Sequence, residues 1–355
     1  MIQALIVMID RSIPLSVESV AGAILLALFL GWAFVPEDAL AQRKAGRNGA
    51  VFLEIATGAR EAALGSAATS VRGDASHVFW NPAGTVLADD ETASATLSYS
   101  DWLAGLEYST LGVGYNTGYG TVTIGVEACG ISDVTANREN GFEEPAIQEL
   151  VTDNETSDTY NYLDLAISGA YSRTFLDRVS VGATVKYVRE SIDGVSASAV
   201  AFDFGTVYEV GVQGWQIGAR INNLGTDVKF YNQSNPLPLS FSIGSSFYPV
   251  NSDEFRLMLS ADAVKPQDSQ QLIYGGTEVS FYDLLFLRGG YKFNYSASED
   301  DGTTARGPVE TSIENFNVGA GIQQNISDVN LKIDYAYGDV DLLEGTHRIT
   351  LNIVY

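Results

Sequence analysis

The chain has few of the residues on which soluble enzymes and metalloproteins are built. Its 355 residues include one cysteine, Cys129, and two histidines, His77 and His347. A lone cysteine excludes a disulfide within the chain. There is no CxxC or HExxH pattern to argue for zinc. No glycine-rich stretch carries the lysine of a phosphate-cradling loop. Bases are also scarce, 20 lysines and arginines against 44 acids, for a net charge of -24. A nucleic-acid partner needs a basic stripe, and none is present. The acidic excess reads as solvated surface and suits a saline habitat, where screening eases crowding of like charges. After the first 41 residues no apolar run reaches eighteen, so helices cannot carry the rest of the chain across a membrane. A closed β-barrel is the other structure that lipid permits.

What the chain does have begins with an apolar run from Ala21 to Val35, too short to span a bilayer and broken by Pro36. Ala39-Leu40-Ala41 follows, with the small-x-small pattern of a cleavage site. Residues 1–41 are therefore expected to be a signal peptide cut after Ala41. The region before the run carries Asp10, Arg11 and Glu18, an unusual n-region, and Met8 is an alternative start.

Glycine is plentiful, at 35 residues, as are tyrosine (18) and phenylalanine (16). From about residue 92 apolar and polar side chains alternate, the period of a strand with one greasy face. Val181, Val318 and Ile353 lie on such faces, opposite Ser180, Asn317 and Asn352. The expected strands are 92–100, 103–115, 119–131, 159–174, 178–192, 197–209, 214–223, 237–248, 254–264, 270–281, 284–295, 312–324, 329–338 and 346–355. Their lengths suit a tilted bilayer crossing rather than a soluble strand of five or six residues. Fourteen, an even number, lets both ends of a barrel close on one side. Aromatics near segment ends (Trp102, Tyr187, Tyr248, Tyr295 and Tyr355) suggest interfacial girdles. Connections at 116–118, 175–177 and 282–283 are tight, whereas 132–158, 224–236 and 296–311 are long and polar. Short turns normally face the periplasm and long loops the exterior. The fold class is thus all-β: a transmembrane antiparallel barrel of about 14 strands over 91–355 in the bacterial outer membrane, in contact with its lipid.

Residues 42–90 read differently, as a small N-terminal plug or periplasmic segment. Small residues dominate, and Gly58, Gly65, Gly73 and Gly84 would let backbone pass close to other elements. A lumen of fourteen strands is too wide to fill with its own side chains, so an insert is physically sensible. Ser66, Asp74 and His77 share this region, but no strained nucleophile turn surrounds Ser66. His77 is expected to hydrogen-bond within the plug. Glu143-Glu144 and Asp89-Asp90 are paired acids in hydrophilic connections. No catalytic residue, metal site or cofactor is expected.

Gly58-Ala59-Arg60 through Gly65 and Asp74, followed by Trp80-Asn81-Pro82-Ala83-Gly84, resembles the signature of the PorV/PorQ family of outer-membrane proteins, which is similar in fold to the FadL-like barrels. His347-Arg348 to Tyr355 resembles that family's closing strand. The resemblance implies a component of the type IX secretion system. Such a component would bind cargo C-terminal signal domains and pass them from the translocon barrel to the attachment complex, here through loops 132–158, 224–236 and 296–311. The alternative is a FadL-like channel for lipophilic small molecules. Such a channel needs an apolar pocket near the plug, and Trp80 is a candidate for its wall. Asn81-Pro82 is also a turn signal in its own right.

Overall fold

The computed structural model describes residues 47–88, 90–135, 159–269, 271–293, 314–340 and 345–355. The expected signal peptide, Asp89, Glu143-Glu144, Tyr295, loop 296–311 and nearly all of loop 132–158 lie outside them. Alternation of apolar and polar residues produces strands β1 (Ala93–Asp101), β2 (Glu107–Asn116), β3 (Thr121–Thr135), β4 (Thr159–Phe175), β5 (Val179–Ile192), β6 (Val195–Glu209), β7 (Gln216–Gly225), β8 (Val228–Phe230), β9 (Gln233–Asn235), β10 (Ser240–Asn251), β11 (Phe255–Pro266), β12 (Leu272–Phe281), β13 (Leu285–Phe293), β14 (Glu314–Ile326), β15 (Val329–Val340) and β16 (Thr346–Val354). All but β8 and β9, a separate two-stranded hairpin, form one closed antiparallel barrel of 14 strands. Closure pairs β1 with β16, from Ser94↔Val354 to Asp101↔His347. Beyond it Tyr355 exchanges backbone hydrogen bonds with Ala93. Among the described residues no barrel strand is left with an open edge to lipid.

The two faces of the wall differ as an outer-membrane barrel requires. On β1, Ser94, Thr96, Ser98 and Ser100 are buried, while Leu97 and Tyr99 are exposed. Thr346, Arg348, Thr350 and Asn352 of β16 point inward, and Ile349 and Ile353 outward. Val181 and Val318 are likewise on the outer face. Hairpins alternate ends around the barrel, and one end carries most of the tight turns, the two-residue Asp193-Gly194 turn lying at the other. At the first end, Leu176-Asp177 and Tyr282-Asp283 have both residues at positive φ. Both pairs lie in three-residue connections closed by Phe175↔Val179 and Phe281↔Leu285, and their left-handed backbone follows the twist of the strands they join. Exposed Tyr115, Tyr119, Tyr282 and Tyr355 ring this end. Here lie the barrel's first strand start and last strand end, so it is the periplasmic end by the usual rule.

Three expectations change in detail. β2 starts at Glu107 rather than 103, because Leu103–Gly105 forms a 3-10 turn with Ala104 at φ 58°. The 224–236 stretch is partly ordered by the β8–β9 hairpin, whose Val228 is buried. Tyr248 and Trp102 are not girdle residues: both pack against buried clusters of the interior. Alternation assigns a face but not a depth, so strand-end aromatics that point inward cannot be separated from those that point to lipid.

Leu111, at mid-strand in β2, is 46% exposed, and Ile353, near the periplasmic rim, is 37% exposed. Arginine on the lipid face costs about 2–4 kcal/mol at the midplane and about 0–1 near an interface. Leu111→Arg is therefore expected to lower the stability of the vesicle-inserted barrel by that larger amount, and Ile353→Arg by the smaller. Urea-dependent folding yields check this; equal stability of both variants and the parent would contradict the lipid-facing assignment.

Candidate functional site

Residues 47–88 run inside the barrel. They form 3-10 turns at Val51–Glu54, Ala75–Phe79 and Pro82–Thr85 and one short helix, α1 (Ala59–Ala63). Small residues let this chain lie flush on the wall. A Cβ at Gly290 would overlap the backbone of Leu64 and Gly65, so both wall and plug need glycine there. Gly65 also adopts φ 63°. A Cβ at Gly84 would meet His77 Cγ at 2.8 Å.

Polar wall residues then fasten the plug on many sides. Ala59 N–H donates to Thr350 Oγ1 at 2.8 Å, and Thr69 N–H to Asp262 Oδ2 at 2.9 Å. Ala75 N–H donates to Ser94 Oγ at 3.0 Å. Arg60 holds Glu278 through Nε and Nη2, both at 3.0 Å. Glu278 also accepts from Arg288 Nε at 2.6 Å, and Arg288 Nη1 reaches Asp334 at 2.7 Å. Arg72 pairs with Glu209. Burial works against the charge on Arg60, but Glu278 outweighs it and holds the guanidinium's pKa well above its usual range.

The residues singled out in the sequence are brought together as plug anchors. Trp80 Nε1 donates to Thr57 O at 3.0 Å, and Trp80 O accepts from Arg220 Nη1 at 3.0 Å and Asn222 Nδ2 at 2.8 Å. Asn81 caps the Pro82–Thr85 turn through Ala83 N–H at 3.1 Å and donates to Thr69 O at 2.6 Å. Asp74 caps Ala75–Phe79 by accepting from Ser76 N–H at 2.8 Å. His77 is fully buried, yet neither ring nitrogen has a hydrogen-bond partner, contrary to expectation. Burial pushes its pKa down to about 4, so the ring is neutral at pH 7 and fills space beside Gly84. With no bond from His77 to Ser66 or Asp74, these three form no triad.

The closing-strand residues divide between the two faces. His347 points outward, its Nδ1 2.7 Å from Tyr335 Oη. Arg348 points inward, bonds Glu314 Oε1 at 3.2 Å and lies over the Trp102 ring at 4.9 Å. Tyr355 serves through its backbone, at the seam.

Above the plug, at the end opposite most of the tight turns, is a cavity of about 610 Å³. Phe52, Leu53 and Ile55 of the plug form one side, Phe79 and Trp80 its floor, and Leu106 part of the wall. Polar residues, among them Glu54, Arg220, Asn222, Asp268, Lys292 and Glu314, line the rest of it. Such a chamber is sized and lined for a small lipophile. The wall members on β7, β13 and β14 were not singled out from the sequence. Alternation marked them as inward-facing, but which strands meet across the lumen is a matter of closure.

No protein-family model and no curated protein sequence matches the chain. Solved structures do. The toluene transporter TodX of Pseudomonas putida has a TM-score of 0.52 at 12% identity over 83% of this chain and 95% of its own. The Ralstonia pickettii toluene transporter TbuX gives 0.51 at 14%, over 84% and 97%. A TodX variant described as a monoaromatic hydrocarbon channel gives 0.53 at 13%, also over 84% and 97%. The chain thus shares the fold of these toluene transporters, that of a bacterial outer-membrane barrel. This corrects the type IX secretion reading. The structures named above are described as toluene transporters and a monoaromatic hydrocarbon channel, and nothing supports PorV/PorQ identity or the translocon, attachment-complex and cargo partners. Of the three loops expected to bind cargo, the one largely described, 224–236, turns back to the plug, where Gly49 N–H donates to Pro236 O at 2.9 Å.

Removing one partner of a buried ion pair costs about 3–5 kcal/mol. Arg60→Met is expected to free α1, seen as faster amide exchange over residues 59–66 with the barrel still folded; unchanged exchange would deny the clamp. Glu61 gives the plug a pH dependence. Burial, with Asp74 beside it, pushes its carboxyl from 4.5 up to about 7. It holds a proton that the unfolded chain would release, so its stabilisation is full below pH 4.5 and lost as pH rises through 7. Exchange over 59–64, corrected for intrinsic rates, should accelerate across that window and flatten in Glu61→Gln. A flat profile in the parent would contradict the assignment.

Proposed function

We propose that the protein is a channel for small hydrophobic molecules, with residues 1–41 removed on export, 42–90 the plug and 91–355 the barrel. The observation that carries this reading is the apolar chamber of about 610 Å³ between the plug and the long-loop end of the wall. A lipophile arriving from outside would leave water for the surface of Phe52, Leu53, Ile55, Phe79 and Leu106, gaining roughly 25 cal/mol per Å² of apolar area buried. The fold shared with toluene transporters supports a ligand of that class. Gly58, Arg60, Gly65, Asp74, Trp80, Asn81, Pro82 and Gly84 act as seating residues, since each shapes or fastens the plug that floors the chamber. His347 and Arg348 serve the wall rather than a cargo surface. Passage further inward requires the plug to yield, and its fastenings are hydrogen bonds and ion pairs that water can replace. No step breaks or makes a covalent bond, so the reading is not enzymatic.

Leu106 lines the chamber from the β1–β2 connection and belongs to neither the plug nor a membrane-spanning strand. Leu106→Arg is expected to weaken toluene binding to the refolded barrel at least tenfold, about 1.4 kcal/mol, with heat-modified gel mobility unchanged. Equal binding by parent and variant, or no saturable binding by the parent, would contradict the channel.

A further inference from the structure

A second cavity, of about 170 Å³, lies at the periplasmic end and shares no lining residue with the apolar chamber. Its wall comes from the periplasmic ends of the six strands β10 to β15, with α1 contributing Arg60. Its character is opposite to that of the chain as a whole. In a protein with 44 acids and 20 bases, three cations (Arg60, Arg256 and Lys332) face this space with one carboxylate, Glu278. That carboxylate is already engaged by Arg60 twice and by Arg288. Arg256 lines the cavity while its Nη2 pairs with Asp283 and its Nε donates to Ser280 Oγ at 3.4 Å, which leaves Nη1 without a protein acceptor among the described residues.

Lys332 is the least satisfied of the three. Its nearest carboxylate oxygen, Asp334 Oδ2, is 4.0 Å away, beyond hydrogen-bonding distance. The ammonium sits 4.2 Å from the centroid of the Phe286 ring, and no residue among those described accepts a hydrogen bond from it. An ammonium carries three donors and no acceptor. Tyr248 and Gln323 complete the wall with groups able to donate as well. At about 30 Å³ per water, the space holds an oxyanion of phosphate or acetate size with some of its hydration, and no large apolar group.

We propose that this cavity binds a small oxyanion, a phosphate or a short carboxylate, with Lys332 and Arg256 as its principal ligands and Arg60 as the third. An oxyanion would supply the acceptors that the ammonium lacks and neutralise the local charge, in charge-assisted hydrogen bonds stronger than those water makes. The site is independent of the apolar chamber and stands whether or not that chamber carries lipophiles.

The test uses the full barrel refolded in neutral detergent, titrated calorimetrically with sodium phosphate and, separately, with sodium acetate. One saturable site is expected for at least one anion. Lys332→Gln should weaken it tenfold or more, and Lys332→Arg should retain it, with heat-modified mobility the same in all three proteins. Tighter phosphate assigns the site to a phosphate source and tighter acetate to a carboxylate; either preference upholds it. Absence of saturable binding of both anions by the parent, or unaltered affinity in Lys332→Gln, would overturn the proposal.

Discussion

Hydrocarbon offers no hydrogen bonds, and the rest of the molecule follows from that constraint. Every backbone amide in the membrane must be satisfied by a neighbouring strand, so the sheet has to meet itself. The β1–β16 seam, extended by Tyr355 and Ala93, completes that circuit. Once closed, fourteen strands enclose more space than inward side chains can fill. The polar and small residues that cannot face lipid are turned to a second use, as the receptor for the chain's own N-terminal segment. Ser94, Asp262, Glu278 and Thr350 are inward residues of different strands, and each binds the plug.

The plug in turn creates two unlike environments. Above it, apolar plug residues and the inner wall leave a greasy chamber toward the exterior. Below it, the ion network through Arg60, Glu278, Arg288 and Asp334 holds α1 against β12, β13 and β15. Because Arg60 belongs to both the plug and the lower cavity, the clamp that seats the plug also sets the charge of the space beneath it.

Much of the barrel was legible in the sequence because a strand's period is local. Val181 against Ser180, or Ile353 against Asn352, declares which face each takes with no knowledge of the neighbouring strand. Strand number and turn placement followed from the same signal. The plug was legible as an insert because its small residues and glycines break that period. What was not legible depends on juxtaposition across the lumen. Arg220 and Asn222 look like any inward pair on β7 until Trp80 O is found between them. His77 looked like a hydrogen-bonding residue because its type usually is one, but its surroundings leave both nitrogens without a partner. The secretion reading failed for a related reason. The Gly58–Gly84 residues that suggested it are the ones that seat a plug in this wall, so they report on the fold and not on the cargo.

The most direct test of the account is the crystal structure of the refolded barrel soaked with 4-bromotoluene, read by bromine anomalous scattering. The account predicts an ordered peak in the upper chamber, among Phe52, Phe79 and Leu106. Bromine density confined to the outer detergent belt, with that chamber holding only water, would contradict it.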